Sequence, residues 1–255
     1  MKTMSMMRDE KKLIQSVERA YRILKCFEEH EMLRIVDISN MLSLHKSTTF
    51  GLVDTLVQLN LLEQDEETGM YKLGMELFRL GMRVNFNLKK IVSPYIDRLV
   101  IETKETSNFV VRKGTNIVYV LKKESPHSMR ICTKLGLELP MYCTAVGKAI
   151  LAHLEDEVID EIIDKTEFKK FTNNTITDVG ELKRELEQIR ALGYAVDNEE
   201  LEYGLTCVAA PIIDCRGTTL GGISVSGPTV RMDYKKIKYV SELLMKYAEE
   251  IKAKL

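Results

Sequence analysis

The hydrophobic period of this chain changes twice, and the first change sets an N-terminal block apart from everything after it. In "SVERAYRILKCFEEHE" the residues Val17, Ala20, Tyr21, Leu24 and Phe27 fall near one helical face, with charges opposite. "RIVDISNMLSL" gives a second short amphipathic helix through Ile35, Ile38, Met41 and Leu42. "LHKSTTFGLVDTL" opens on the polar run Lys46, Ser47, Thr48, Thr49 and turns apolar at Leu52, Val53 and Leu56, with Leu59 beyond it. The period then shortens: "LLEQDEETGMYKLG" reads as two strands, 61–64 and 70–73, around a Glu67-Thr68-Gly69 turn. Three short helices, a tight joint between the second and third, and a hairpin follow the order of a winged helix-turn-helix. A generic small helical domain with a hairpin has the same pattern, and pattern alone leaves both open.

"MELFRLGMRVNFNLKK" continues as a helix with Leu77, Leu80, Gly81, Val84 and Leu88 on one side, and Pro94 follows. This predicts a linker whose stripe is either a dimer seam or a face packed on its own domain. Past Pro94 the second change brings an α/β pattern. Helix 95–106 precedes strands in "NFVVRKG" and "NIVYVLKKE", a strand around 129–134, a loop with Pro140 and a helix in "TAVGKAILAHL". Helices at 155–164 and 179–192 follow, the second behind Asp178 and Glu181 at capping-box spacing. Strands at 194–197, 205–213 and 219–226 and a closing helix at 234–252 complete the series. The expected fold class is α+β, with one mainly antiparallel sheet in the second part. The expected divisions are 1–74, a linker helix at 75–93, and 94–255.

Composition excludes some classes of function. Of 255 residues, 45% are hydrophobic and 29% charged, an ordinary globular balance, and the net charge of −1 neither favours nor excludes nucleic acid. No apolar run approaches the roughly 20 residues of a membrane span, and the start of the chain lacks the apolar core of a signal peptide. The five cysteines, at 26, 132, 143, 207 and 215, form no CxxC pair. A soluble cytoplasmic protein without a disulfide scaffold, structural metal or cofactor is the expectation.

Taken in order, "SVERAYRILKCF", "ISNMLSLHKSTTFGLVDTL", "DEETGMYKLG", "CTAVGKAILA", "LGYAVDNEELEYGLTCVAAPI" and "GGISVSGP" resemble the isocitrate-lyase-regulator (IclR) family of transcriptional regulators, from about residue 14 to 252. The resemblance implies a winged helix-turn-helix, a linker helix and a GAF-like effector domain. It also implies operator DNA and a small organic effector as partners, and assembly as a homodimer or homotetramer.

On that placement Lys46 to Thr49 begin the recognition helix, whose free N–H groups and positive dipole end face phosphates. Lys46 supplies charge, and Ser47, Thr48 and Thr49 supply hydroxyls to phosphates or base edges unless one serves as the N-cap. Many relatives carry a large polar or basic residue where this chain has Phe50 and Gly51, so readout here rests on hydroxyls, apolar contact and shape. Phe50 is a candidate thymine-methyl contact. Arg34 and Lys72 are candidate phosphate contacts.

The second candidate site lies in the C-terminal part. Leu205 and Cys207 are two apart on one strand, and Ser224 and Ser226 on the next, so each pair shares a face. Buried serines need partners, which points to a polar pocket; equally, that face is solvent-exposed and Ile223 and Val225 are the buried ones. The resemblance implies an effector pocket of Ala145 and Val146 at a helix start, Asp197, Leu205, Cys207, Ser224 and Ser226. It does not choose the ligand, for which a small carboxylate is one candidate.

Two rival readings differ in class. "GISVSG" approaches the nucleophile elbow G-x-S-x-G, but residue 226 is serine and no histidine follows His153, so a hydrolase triad is not expected. No phosphate-binding glycine motif or metal-ligand spacing occurs, and no catalytic residue is expected. The other rival is a small-molecule-sensing interaction protein whose DNA domain has degenerated.

Overall fold

The computed structural model describes residues 13–81, 87–132 and 134–255. The chain forms two compact units, Met1–Asn85 and Phe86–Leu255.

The first unit contains α1 (Gln15–Lys25), α2 (Ile35–Leu42), α3 (Lys46–Gln58), β1 (Leu62–Gln64), β2 (Tyr71–Leu73) and α4 (Met75–Gly81). Its core is Ile23, Phe27, Leu33, Ile38, Val53, Leu56, Leu62 and Tyr71, with Cys26 beside them. The line of α1 that reaches this core is Ala20, Ile23, Leu24 and Phe27; Val17 and Tyr21 point outward, 64% and 54% exposed. That corrects the α1 face expected from Val17 and Tyr21: positions 20, 23, 24 and 27 form the better i, i+3, i+4, i+7 stripe. The α2–α3 joint is tight because Ser43 takes a left-handed conformation (φ 52°), and the buried Ser39 hydroxyl donates to Leu44 O at 2.7 Å. The hairpin is antiparallel. Asp65 Oδ1 accepts from both Thr68 N–H and Thr68 O–H across its turn, and Leu33 exchanges two backbone bonds with Tyr71 to tie the hairpin to the helices.

The second unit starts with α5 (Asn87–Thr103), which runs through Pro94. The expected helix start at 95 is therefore displaced to Asn87. Val92, Tyr95, Ile96 and Leu99 form one buried stripe spanning the proline, and their packing outweighs the lost backbone hydrogen bond. Val84 of the expected linker stripe lies outside the described residues; Leu88 packs against the second unit's core, while Leu80 is exposed.

Among the described residues six strands follow: β3 (Thr106–Lys113), β4 (Asn116–Lys123), β5 (Glu138–Pro140), β6 (Ala195–Asn198), β7 (Leu205–Ile213) and β8 (Thr219–Pro228). Their order across the sheet is β5-β4-β3-β8-β7-β6, and every neighbouring pair is antiparallel. The described residues of 129–134 form a loop rather than the expected strand, and the edge strand is the three-residue β5. Helices α5 and α9 (Tyr234–Lys252) cover one face of the sheet, and α6 (Ala145–Leu151), α7 (Asp156–Lys165) and α8 (Val179–Leu192) build the core on the other. Because helices cover both faces, β8 buries Ile223 and Val225 on one side and Ser224 and Ser226 on the other. Asp178 caps α8, accepting from Glu181 N–H at 2.8 Å.

Candidate functional sites

In the first unit the outward face of α3 carries Lys46, Ser47, Phe50, Gly51, Asp54, Thr55 and Gln58, all exposed and at helical spacing. His45 is the N-cap and makes no side-chain cap bond, so the first-turn N–H groups are not closed off by a capping oxygen. Lys46 and Ser47 stand at this end, and Thr48 is half-buried. Thr49 is not on this surface: it is fully buried and its hydroxyl donates to His45 O at 3.2 Å. Its candidacy as a DNA contact is withdrawn, because residues 49, 53 and 56 form the line of α3 that faces the core. Arg34 N-caps α2 and is exposed. Lys72 sits on β2, 3.7 Å from Glu63, in an exposed pair weak enough to exchange for a phosphate.

The second unit places all seven sequence-derived pocket residues around one cavity of about 190 Å³. The register explains the convergence. Asp197 on β6 pairs with Cys207 on β7, Cys207 with Ser226 on β8, and Ser226 with Thr106 on β3, a single row across four strands. In the next row Ala209 pairs with Ser224 and Ser224 with Asn108, whose Nδ2 donates to Ser224 Oγ at 3.4 Å. Ala145 and Val146 close the cavity from α6, whose N-cap Thr144 accepts from Gly147 N–H. Gly147 has to be glycine, since a Cβ there would lie 2.4 Å from Met141 O. Sequence reasoning missed the remaining wall, chiefly Tyr119, Leu137, Leu139, Leu201 and Glu202. Tyr119 and Leu139 come from β4 and β5, and only the strand order reveals that they reach the same side.

The electrostatics of the cavity are acidic. Its lining includes Asp197 and Glu202 and no lysine, arginine or histidine among the described residues. Asp197 is 1% exposed, and its Oδ1 accepts from Glu200 N–H at 2.7 Å. Burial pushes its carboxyl up to about 7; the Glu200 carboxylate adds to this, while the Glu200 N–H bond and Lys148 work against it. Burial likewise raises the Cys207 thiol and the Tyr119 hydroxyl, and takes Cys143 up to about 12. These thiols are therefore neutral hydrogen-bonding groups rather than nucleophiles. Lys148 is fully buried, with Nζ 2.5 Å from Glu200 Oε1 and 3.2 Å from Glu185 Oε1, so its charge is committed. A larger groove of about 290 Å³ between α7 and α8 is an open surface feature lined by the Asp156–Arg190 and Asp160–Lys183 pairs. Both of its cations are already paired, whereas the cavity gathers the buried polar row, which makes the cavity the better candidate.

Comparison with known proteins matches both units. The IclR helix-turn-helix domain matches residues 16–66, and the C-terminal domain of bacterial IclR transcriptional regulators matches residues 82–253. The HTH-type transcriptional regulator KdgR of Escherichia coli K12 is 32% identical over 244 residues, 95% of this chain and 93% of KdgR. The HTH-type transcriptional repressor AllR of the same strain is 34% identical over 244 residues, 94% of this chain and 90% of AllR. The crystal structure of Thermotoga maritima IclR superposes with a TM-score of 0.78 at 32% identity, covering 94% of this chain and 98% of that one. An IclR homologue from Microbacterium hydrocarbonoxydans, complexed with 4-hydroxybenzoate, shares the fold at a TM-score of 0.84 and 23% identity, covering 93% and 98%. With a DNA-reading unit and a ligand-scale cavity on one chain, and relatives matched over nearly their whole length, the protein belongs to the IclR family of transcriptional regulators.

Proposed function

We propose that the chain is a cytoplasmic repressor that holds operator DNA through α3 and the hairpin and responds to a small effector bound in the 190 Å³ cavity. The observation that carries this reading is the row Asp197–Cys207–Ser226, in which the buried Asp197 carboxyl and Ser226 hydroxyl flank the half-buried Cys207 thiol among apolar walls, as an oxygen-rich molecule requires. Ser224 and Ser226 hold the effector's oxygens, with the backbone near Ala145 and Val146. Leu205 and Cys207 pack against its carbon frame, and Asp197 accepts from a ligand hydroxyl. On the DNA, Lys46, Ser47 and Arg34 meet phosphates, Thr48 and Phe50 meet base edges, and Lys72 meets phosphate from the hairpin.

The repressor acts as at least a dimer. In the first unit Met75 and Phe78 on α4 are 66% and 62% exposed, and Ile14, the N-cap of α1, is 71% exposed, apolar side chains that a second copy of the chain would cover. Sedimentation of the full chain at micromolar concentration should give a dimer or tetramer; a monomer both free and on DNA overturns this.

A thermal-shift screen over small organic acids, hydroxy acids and sugar acids, with 4-hydroxybenzoate included, tests the effector reading. A ligand at about 100 times its Kd adds roughly 2.7 kcal/mol of stability. A hit that still stabilises Ser224→Ala and Ser226→Ala equally well would place the binding elsewhere.

A further inference from the structure

Two adjacent residues on the outward face of α3 have no explanation within the folded unit. Phe50 leaves 59% of its surface in water, although it is the most apolar side chain on that face. Gly51 lies inside a 13-residue helix without a positive φ, and a Cβ built on it meets nothing within 4 Å. Glycine weakens a helix interior relative to alanine, so neither packing nor backbone conformation calls for it here. The situation at Gly74 is the opposite, since there a Cβ would lie 2.2 Å from Asn60 O. A glycine that is unnecessary in the free unit makes sense if something outside the unit occupies the space its side chain would fill.

The neighbouring residues indicate what that is. Lys46 and Ser47 precede the pair by one turn on the same face and suit a phosphate backbone. Asp54 follows by one turn, its Oδ2 accepting from Gln58 Nε2 at 2.7 Å, and a carboxylate there keeps phosphates away from the rear of the helix. The polarity of this face thus favours insertion by the N-terminal end, with residues 50 and 51 at the depth of the base edges. Apart from Lys46 at the phosphate end, this stretch of α3 carries no exposed arginine, lysine, asparagine or glutamine before Gln58, so at the depth of residues 50 and 51 it has no side chain for the bidentate contacts to guanine and adenine. The remaining base-edge feature that an aromatic ring can read is the thymine methyl group.

We propose that Phe50 and Gly51 are the specificity-determining pair of α3: the Phe50 ring seats on the 5-methyl group of a thymine in the major groove, and the absent side chain at 51 lets the helix backbone come close enough for that contact. The proposal rests on the reading of α3 as the recognition helix.

The experiment uses the full chain and a pool of duplexes with a randomised core. Wild-type protein first selects its binding sequence, and each thymine of that sequence is then replaced singly by deoxyuridine, which removes the methyl group and nothing else. One thymine per half-site should be sensitive, with uracil costing about three- to fivefold in affinity. Phe50→Ala should bind the thymine and uracil duplexes equally. Gly51→Ala should lose about tenfold on the selected duplex while melting no lower than wild type, so that a folding defect is not the cause. Uniform tolerance of uracil, retained discrimination in Phe50→Ala, or wild-type affinity in Gly51→Ala each overturns the pairing and leaves the recognition helix standing. A pool that enriches no sequence with wild-type protein overturns the recognition-helix reading itself.

Discussion

Replacing Asp197 by asparagine tests how the effector cavity holds its carboxyl group. Asparagine keeps the oxygen that accepts from Glu200 N–H, so the change removes a titration rather than a bond. In the folded chain burial raises this carboxyl from 3.8 to about 7, and in the unfolded chain it returns to its ordinary value. Between about pH 4 and pH 7 the native state therefore holds a proton that the unfolded state has lost. A raised carboxyl contributes its full stability below the unfolded value, loses it progressively as pH rises through the folded value, and is flat beyond. The shift spans about three pH units at roughly 1.4 kcal/mol each, on the order of 4 kcal/mol in all. Of this, about 2–3 kcal/mol is lost between pH 5 and pH 8. For a unit of this size 1 kcal/mol moves the melting temperature by about 2–4 °C, so the advantage of Asp197→Asn over wild type should widen by roughly 5–10 °C between those pH values. Other titratable groups face Asp197: Tyr119 from β4, Cys143 before α6, Lys148 on α6, Glu200 after β6 and Cys207 on β7. Burial keeps the two thiols and the Tyr119 hydroxyl neutral across this range, so they drop out of the difference, and Glu200 is the acidic neighbour whose own titration the variant also changes. Differential scanning calorimetry of the two full chains across pH 5–8 decides it, and a gap that stays constant or narrows refutes the argument.

Much of the fold was legible because its signals are local. The α8 cap at Asp178, the α2–α3 joint and both long central strands follow from residue type and spacing within a few positions. The failures occurred where distant packing decides. Pro94 reads as a helix boundary, yet a buried stripe on either side of it carries α5 through. The alternation "MRICTK" at 129–134 imitates a strand, but the pairing edge of β4 is taken by Glu138–Pro140, too short to show any period. On α3 the polar run at 46–49 reads as one surface, although Thr49 lies in line with Val53 and Leu56 and its hydroxyl is spent inside the helix.

The polar face of β8 was not legible from its residues alone, and the seven pocket residues came from the family resemblance. Ser224 and Ser226 alternate with Ile223 and Val225, and from β8 alone either set is the buried one. What removes the choice is that β8 lies in the middle of the sheet with helices on both faces, so both sets are buried and the serines need polar partners. Tyr119, Leu139 and Leu201 gave no signal, because an apolar residue lining a ligand cavity has the same sequence pattern as one lining a core. The lysine beneath the cavity was hidden too. Lys148 stands in "AVGKAIL" like any cation on an amphipathic helix, but α6 is buried all round, and the counter-ions come from Glu185 and Glu200, far along the chain.

Further measurements probe both units. Lys46→Ala should weaken operator binding across sequence variants and lower the salt slope by about 1, the signature of one lost phosphate contact; unchanged affinity and slope in a filter-binding titration would remove Lys46 from the interface. Ser224→Ala and Ser226→Ala should each weaken an identified effector about threefold to tenfold by calorimetry, one neutral hydrogen bond being worth about 0.5–1.5 kcal/mol, and leave effector-free operator affinity unchanged. Lys148→Met is the severest change. It leaves Glu200, 5% exposed, without its counter-ion, and breaking a buried pair from one side costs about 3–5 kcal/mol. Adding Glu200→Gln should restore part of that loss, because the double variant buries no uncompensated charge. A double variant no more stable than Lys148→Met would mean that the lysine acts through packing alone. Lys148 also holds the Asp197 carboxyl down, so in Lys148→Met the pH window in which Asp197 costs stability should move upward. An unmoved window would show that the two groups do not sense each other, and would separate the buried ion pair from the chemistry of the cavity.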